Sequence, residues 1–266
     1  MLIFVDMFDA IFQPDVYGGV LVTMSVLAVM VFIGLHYVKA GYGIMRRGGW
    51  GPTLPNRLGW VLMEAPALAA MLLLWWHSDR RADAAPAVMA SLFVLHYAQR
   101  SLVFPLLMRG RNRMPVVITL MGAVFNVVNA YMLGGWLFYM APEGHYTSQW
   151  LLSPQFIIGT VIFFAGMCIN LHSDHIIRHL RRPGDNRHYL PRGGMFRYVS
   201  SANYLGEFTE WVGYAVLTWS AAGAVFALWT FANLAPRARD ISARYAAEFG
   251  EEFTRLRLKS IIPFIY

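Results

Sequence analysis

The stretch Asn170–Trp211, NLHSDHIIRHLRRPGDNRHYLPRGGMFRYVSSANYLGEFTEW, separates two apolar segments with a dense run of polar residues. Polar side chains mark its two ends: Asn170, His172 and Asp174 at the first, and Asn203, Glu207 and Glu210 at the second. The loop between them holds six arginines and one acidic residue, Asp185. In a chain that is otherwise suited to a bilayer, this density of polar groups at one face predicts a binding site.

The composition of the chain places it in a membrane. Of its 266 residues, 57% are hydrophobic and only 14% are charged, whereas about a quarter of the residues of soluble proteins are charged. This balance predicts an integral membrane protein. The single cysteine, Cys168, excludes an intramolecular disulfide. Because the first residues lack a positively charged segment and a small-residue cleavage site, we expect no cleaved signal peptide.

Apolar runs of about 20 residues, the length that a bilayer core requires, divide the chain into seven predicted transmembrane helices. They cover approximately Val16–Val38, Leu58–Trp76, Ala85–Met108, Pro115–Met140, Ser153–Asp174, Ser201–Ser220 and Ala222–Leu234, the last with a helical extension. The last two form one apolar stretch that is too long for a single crossing, so we place a turn at the small residues Ser220–Gly223. The predicted fold is an all-α polytopic membrane protein, a single domain over residues 1–266.

The basic residues predict the orientation of the chain. Nineteen of the 22 lysines and arginines lie in the first, third and fifth loops and in the tail after Leu234. In a seven-span topology these four regions share one side of the membrane. By the positive-inside rule that side is the cytosol, so we expect the N-terminus outside and the C-terminus in the cytosol. Attraction to lipid headgroups explains the net charge of +7 without a nucleic-acid partner.

Several polar residues fall inside the predicted spans, where an ionisable side chain costs about 2.5–3.5 kcal/mol on insertion scales. Glu64 has no basic neighbour in its helix, whereas His96 and Arg100 lie one turn apart in the third span. Asn126 and Asn129 share a face of the fourth span, and for these two we favour a role in interhelical hydrogen bonding. For Glu64 we favour a functional role, because a lone carboxyl group in hydrocarbon needs a partner or a proton.

Helical spacing places the polar residues of the central stretch at one site. Those of the first helix are Asn170, Asp174, Arg178 and Arg181, and those of the next are Asn203, Glu207 and Glu210. Together with Arg111 they predict a cytosol-facing pocket rich in guanidinium groups, which suits a polyphosphate. A basic loop resting on anionic lipid explains the arginines equally well, but it does not explain the Asn, Asp and Glu residues inside the spans.

Two kinds of site are not expected. No nucleotide-binding glycine motif follows a predicted strand, so any nucleotide would bind outside a Rossmann fold. The sequence also predicts no metal site. His172, Asp174 and His175 fall close together at one helix end, but capping and cofactor contacts are the better interpretation of these three side chains.

Several motifs, in order along the chain, are similar to those of the steroid 5-alpha-reductase family. They are YG at Tyr42–Gly43, WVLMEAP at Trp60–Pro66, HYAQR at His96–Arg100, RGR at Arg109–Arg111, NLHSD at Asn170–Asp174, LRRPG at Leu180–Gly184, YLPRGGMFRYVSSANYLGE at Tyr189–Glu207, EWVGYA at Glu210–Ala215 and IPFIY at Ile262–Tyr266. The resemblance covers most of the chain. It implies seven transmembrane helices, an NADPH cofactor that enters from the cytosol, and reduction of the double bond of a 3-oxo-delta-4 steroid.

The resemblance also implies roles for particular residues. Glu64 and Tyr97 would polarise the substrate ketone, with Trp60 beside them in the substrate site. The cofactor would contact Tyr42, Arg111, Asn170, Asp174, Arg181, Asn203, Glu207 and Tyr245. The sequence departs from the family's usual residues at two places, so the resemblance does not identify the natural substrate. Met63 stands where relatives usually have glutamine, and the tail lacks a histidine-rich run that is common in animal members.

These side chains suit conjugate reduction, in which a hydride adds to the beta carbon of an enone while charge develops on its oxygen. A tyrosine hydroxyl and a protonated glutamate can both donate a hydrogen bond to that oxygen. We expect a monomer that takes a steroid-like enone from the lipid phase. We expect it in the inner membrane if the source is bacterial and in the endoplasmic reticulum if the source is eukaryotic.

Two other functions stay open at this point. A membrane methyltransferase that acts on an isoprenoid or lipid with S-adenosylmethionine has a related architecture, but the arginine-rich loop favours the more heavily phosphorylated NADPH. A transporter or proton relay could use Glu64, His96 and Arg100. Against this second alternative, the sequence contains no visible inverted repeat, and its polar residues concentrate at one face.

Overall fold

The computed structural model describes residues 10–38, 49–109, 112–180 and 187–266. The helices of this part of the chain are α1 (Pro14–Tyr37), α2 (Asn56–His77), α3 (Ala84–Ala98), α4 (Phe104–Leu107), α5 (Val116–Gly135), α6 (Pro154–His179), α7 (Ala202–Thr218), α8 (Ala221–Phe249) and α9 (Glu251–Thr254). Two π-helical turns extend them: Gln99–Val103 joins α3 to α4, and Trp136–Met140 continues α5. The helical class predicted from the sequence is confirmed.

One short piece of sheet was not predicted from the sequence. Strands β1 (Thr53–Pro55) and β2 (Arg113–Pro115) pair antiparallel, with Leu54 opposite Met114. Each strand leads directly into a helix, β1 into α2 and β2 into α5. The pair therefore holds the starts of α2 and α5 side by side, and these two helices then pack along their length.

Five helical stretches in the described part of the chain are long and apolar enough to cross a membrane. They are Pro14–Tyr37, Asn56–His77, Ala84–Leu107, Val116–Met140 and Pro154–His179. Their outward faces carry large apolar side chains, such as Val22 at 65% exposure and Leu120 at 60%. Such residues are stable on an outer surface only where lipid covers them. The protein is therefore a multi-pass membrane protein.

The turn between α7 and α8 lies where the sequence predicted it. Trp219 caps α7 in the left-handed conformation, with φ of 46°. Ser220 then begins α8, and its Oγ accepts a hydrogen bond from the backbone N–H of Gly223 at 3.0 Å. This serine cap satisfies one of the free N–H groups at the helix start. The predicted break at Ser220–Gly223 is confirmed.

Helices α6 and α7 pack antiparallel with their backbones in direct contact. A Cβ atom at Gly166 of α6 would lie 2.2 Å from the backbone N of Glu210, and one at Gly206 of α7 would lie 2.3 Å from the backbone N of Asn170. One further pair, Gly159 and Gly213, repeats this contact seven residues away along each helix. Small residues that permit close backbone approach are the main means by which helices associate in membranes.

Backbone hydrogen bonds to residues near the C-terminal end hold the segment that leads into α7. The backbone N–H of Ser200 donates to the Lys259 carbonyl at 2.8 Å, and that of Ser201 donates to the Ser260 carbonyl at 3.1 Å. Ile261, which follows, is fully buried in a small apolar cluster with Val199 and Ala235. The segment that leads into α7 is thus held by the tail, immediately before Asn203.

The glycine contact predicts a sharp effect of one added methyl group. We expect Gly206→Ala to lower the free energy of unfolding by about 1–3 kcal/mol, the usual cost of overpacking, because the neighbouring atoms are backbone and cannot rotate away. Thermal unfolding in detergent measures this change. Gly19→Ala in α1 is the matched control, since nothing lies within 4 Å of that position. Equal midpoints for the two variants would contradict the described contact.

Candidate active site

Arg100 is the centre of the largest buried charge cluster described in the structure. Its side chain is 8% exposed, and it lies in the π-helical turn between α3 and α4. Its Nη1 donates to Asp174 Oδ2 at 3.2 Å, and its Nη2 donates to Glu207 Oε2 at 2.7 Å. The guanidinium carbon also lies 4.8 Å from the centroid of the Phe104 ring and 5.3 Å from that of Trp60. One arginine thereby joins α3, α6 and α7.

A second ionisable pair lies one helical turn away from Arg100. His96 Nδ1 and Glu210 Oε1 are 2.8 Å apart, and both side chains are almost fully buried. The His96 ring also packs edge-on against Trp211, with 4.5 Å between ring centroids. His96 and Arg100 lie four residues apart on one helical stretch, and Glu207 and Glu210 lie three apart on α7, so each spacing is about one turn and the two pairs are neighbours.

The Tyr97 hydroxyl reaches α5, and the Tyr97 ring also lies 6.0 Å from that of Trp211 on α7. Its hydroxyl donates to Asn126 Oδ1 at 3.0 Å and accepts from Asn129 Nδ2 at 3.0 Å. Asn126 Nδ2 in turn donates to Glu64 Oε2 at 3.1 Å and to the Met63 carbonyl at 2.7 Å. The structure thus brings Glu64 and Tyr97, the two predicted catalytic residues, to either side of one amide group.

The predicted role of Asn126 and Asn129 in hydrogen bonding between helices is confirmed. Asn126 does join α5 to α2 by a hydrogen bond to a backbone carbonyl. Both asparagines also bind the hydroxyl of Tyr97, and Asn126 binds the carboxyl of Glu64. Helical spacing could not reveal these contacts, because it shows only that the two residues share a face.

Four of the eight residues predicted to hold a cofactor, Asn170, Asp174, Asn203 and Glu207, lie where α6 passes the start of α7. Asn170 is 3% exposed, and its Nδ2 donates to the Asn203 carbonyl at 2.9 Å. Asp174 and Glu207, predicted as cofactor contacts, both bind Arg100. Tyr245 lies on α8 and packs against the rings of Phe249 and Phe253. The predicted contacts Tyr42, Arg111 and Arg181 lie outside the described residues.

The central loop arginines differ in what they contact. Arg192 Nη2 lies 2.7 Å from Glu252 Oε1, and the neighbouring His188 pairs with Glu248 of α8. Arg178, which lies on α6, has a buried Nη1 with no hydrogen-bond partner among the described residues. The described arginines of this stretch therefore differ in their surroundings: Arg192 pairs with a carboxylate at the surface, whereas Arg178 Nη1 is buried and unpaired.

Unsatisfied buried polar atoms concentrate in the central stretch. In the described chain they include, within residues 170–211, Ser173 Oγ, Arg178 Nη1, Ser201 Oγ and Glu210 Oε2. Buried polar atoms are nearly always hydrogen-bonded in native proteins, so a cluster of exceptions needs an explanation. A polar ligand bound beside the end of α6 and the start of α7 would supply partners for such atoms. No group of three metal-ligating side chains occurs among the described residues.

The fold and the site define a class of protein. Long apolar helices surround buried Arg, His, Asp and Glu side chains that pair with one another, and a buried Tyr that binds two Asn side chains. Ionisable groups are costly inside a membrane and are found there where they serve a function. The chain is a multi-pass membrane protein with a polar active-site-like centre enclosed by its helices.

Comparison with known proteins identifies the family within that class. Residues 112–266 match the family model described as 3-oxo-5-alpha-steroid 4-dehydrogenase. The chain is 39% identical over 243 residues to 3-oxo-5-alpha-steroid 4-dehydrogenase 1 of Bos taurus, covering 90% of this chain and 93% of the relative. It is 42% identical over 215 residues to the Homo sapiens protein of the same name, covering 80% and 81%. It is 36% identical over 252 residues to steroid 5-alpha-reductase DET2 of Arabidopsis thaliana, covering 90% and 95%. The chain belongs to the steroid 5-alpha-reductase family.

The Arg100 cluster predicts unequal effects of removing two arginines. Arg100→Met should destabilise the protein by about 3–5 kcal/mol, because it leaves buried carboxylates without a counter-charge. Arg192→Met should cost at most about 1 kcal/mol, because its pair with Glu252 is largely exposed. Thermal unfolding in detergent compares the two. Adding Asp174→Asn to Arg100→Met should recover part of the loss, and no recovery would contradict the ion-pair explanation.

Proposed function

We propose that this protein reduces the delta-4 double bond of a 3-oxo-delta-4 steroid, or of a related membrane-soluble enone, with NADPH as the reductant. The observation that carries the proposal is the placement of the Tyr97 hydroxyl and the Glu64 carboxyl on one Asn126 amide, inside the helical body. Membership of the family supports reduction over the methyltransferase and transporter alternatives, since the relatives' names describe steroid reductases or dehydrogenases.

The proposed reaction requires hydrogen-bond donors at the ketone oxygen of the substrate. Reduction of an enone places negative charge on the ketone oxygen as a hydride arrives at the beta carbon. Tyr97 and Glu64 can each donate a hydrogen bond to that oxygen, and such donors are effective where water is excluded. The enolate that forms then takes one proton, ultimately from water, at the alpha carbon, and this step restores the ketone. Trp60, beside Arg100 and Phe104, would line the approach to this pair.

The cofactor proposal rests on the residues at the end of α6 and the start of α7. NADPH, when bound, would supply the hydride. The residues that would hold it are Asn170, Asp174, Asn203, Glu207 and Tyr245, together with Tyr42, Arg111 and Arg181. The unsatisfied Arg178 Nη1, Ser173 Oγ and Ser201 Oγ support a polar ligand in this region. The Arg100 pairs hold the Asp174 and Glu207 carboxylates in fixed positions, which limits the reorganisation needed on binding.

The membrane arrangement that suits this function has seven spans. α7, with 17 residues, and the apolar first half of α8 would complete the five longer spans. The basic loops and tail then face the cytosol, from which the cofactor would enter, and the N-terminus lies outside. A steroid-like substrate would arrive from the lipid, and we propose that a monomer, one domain over the whole chain, is sufficient. The membrane is the inner membrane of a bacterium or the endoplasmic reticulum of a eukaryote.

Conservative substitutions of the two donors test the function. With NADPH and a 3-oxo-delta-4 steroid, Tyr97→Phe should lower kcat by about 10²–10³-fold, the size expected for loss of one oxyanion donor. Glu64→Gln keeps a hydrogen-bond donor and should retain part of the activity. NADPH affinity, followed by fluorescence titration, should change little in both variants. Full steroid turnover by a folded Tyr97→Phe protein would contradict the mechanism, and selective loss of NADPH affinity would move both residues to the cofactor site.

The seven-span topology makes a separate prediction. Single cysteines introduced by Ser148→Cys and Arg187→Cys, each in a Cys168→Ala background, should react with a membrane-impermeant reagent from opposite sides of sealed vesicles. Ser148 follows α5 and Arg187 follows α6, so one span lies between them. Gel-shift labelling before and after vesicle permeabilisation measures the side. Labelling of both positions from the same side would exclude the seven-span arrangement.

A further inference from the structure

The Asn126 side chain has an unusually complete set of partners for a residue in a membrane helix. It is 5% exposed. Its Nδ2 donates to the Met63 carbonyl at 2.7 Å and to Glu64 Oε2 at 3.1 Å, while its Oδ1 accepts from the Tyr97 hydroxyl at 3.0 Å. An amide nitrogen has two hydrogens to donate, and both are used. The side chain therefore contacts both proposed donors at once.

The partners determine which way the amide faces. The Met63 carbonyl can only accept a hydrogen bond, so it requires the nitrogen of Asn126 on its side. The reversed amide would place Oδ1 against that carbonyl and against a carboxyl oxygen of Glu64. The Tyr97 hydroxyl must then point its hydrogen at Asn126 Oδ1, since Asn129 Nδ2 already donates to the hydroxyl oxygen.

We propose that Asn126 is a positioning residue for the reaction, one that holds the Tyr97 hydroxyl and the Glu64 carboxyl side by side. The Tyr97 hydrogen, which Asn126 Oδ1 accepts in this structure, rotates about the C–O bond to reach the ketone oxygen when the substrate binds. The proposal rests on the proposed reductase function and adds a residue to it. Because Asn126 Nδ2 donates to Glu64 Oε2, that oxygen acts as an acceptor, and a proton on the carboxyl group resides on Oε1. Asn126 thereby selects the oxygen of Glu64 that can donate to the substrate.

A purely structural role would need fewer of these contacts. The bond from Asn126 Nδ2 to the Met63 carbonyl by itself joins α5 to α2. Thr119 shows what a buried polar residue of α5 does when it serves only its own helix: it is 3% exposed, and its hydroxyl donates to the Pro115 carbonyl one turn earlier. Asn126 differs because its remaining hydrogen-bonding atoms go to the two side chains that act on the ketone.

The first arm of the test removes the amide. Asn126→Leu replaces the amide with an apolar side chain of similar size, and we expect it to lower kcat for a 3-oxo-delta-4 steroid by about 10²-fold, the effect of misplacing reacting groups by about 1 Å. The dissociation constant for NADPH should stay within about twofold of the unsubstituted value, since the hydrogen bonds of Asn126 go to Met63, Glu64 and Tyr97 and not to the residues proposed to hold the cofactor. Thr119→Val, on the same helix, should leave kcat unchanged.

The second arm asks whether Asn126 acts through Tyr97. If it does, Asn126→Leu combined with Tyr97→Phe should be no slower than the poorer single variant. A combined loss equal to the product of the two separate losses would mean that the residues act independently, and it would overturn the proposal. A kcat for Asn126→Leu that equals that of Thr119→Val would overturn it as well.

The third arm is a pH profile, which decides the matter even if Asn126→Leu fails to fold. The ionised carboxyl group of an Asn126→Asp variant has no hydrogen to donate to Glu64 Oε2, but the protonated group has one. The ratio of the variant's kcat to that of the unsubstituted protein should therefore rise as the pH falls. A ratio that does not change with pH would overturn the positioning role. Absence of any turnover by the unsubstituted protein would instead overturn the proposed function, and this proposal with it.

Discussion

Backbone contact between α6 and α7 is the constraint on which the candidate site depends. Gly159 and Gly166 of α6 lie against Gly213 and Gly206 of α7, so close that a Cβ at any of the four would collide with backbone atoms. Burial of apolar surface does not drive helices together inside a bilayer, because lipid tails are equally apolar, whereas close packing of small residues does. Since the contact is antiparallel, it brings the polar end of α6 beside the polar start of α7.

The contact between α6 and α7 brings carboxyl groups close together, and Arg100 is the counter-charge for two of them. The close helices carry Asp174, Glu207 and Glu210 into a region from which water is largely excluded, and buried carboxylates are costly without counter-charges. The π-helical turn places Arg100 between the first two, and His96 one turn earlier meets the third. A π-helical turn shifts the residues that follow it around the helix axis and often occurs at a functional site. Charges held in this way are already oriented before any ligand binds.

Helix α3 and the π-helical turn after it carry two hydrogen-bond networks of different chemistry. His96 and Arg100 bind carboxyl groups of α6 and α7. The Tyr97 hydroxyl binds amides of α5, one of which binds the carboxyl group of Glu64. The two networks adjoin, because the guanidinium group of Arg100 lies over the Trp60 ring and the Tyr97 ring lies 6.0 Å from that of Trp211. The proposed reaction needs such an arrangement, because a charged cofactor and an apolar enone require different surroundings while their reacting atoms must meet.

The sequence by itself determined the class of fold and several members of the site. Apolar runs and clustered arginines indicated a multi-pass helical protein, small residues at Ser220–Gly223 indicated the turn that the structure shows, and Glu64 and Arg100 stood out because a polar group inside a span is costly whatever surrounds it. Only the tertiary structure decided which polar groups meet. Arg100 binds partners 74 and 107 residues away on two other helices, and spacing along one helix shows only which residues share its face. The glycine contacts and the π-helical turn decide which polar groups lie together, because they determine how the helix backbones fit against one another. The residue pattern of a single helix does not contain this information.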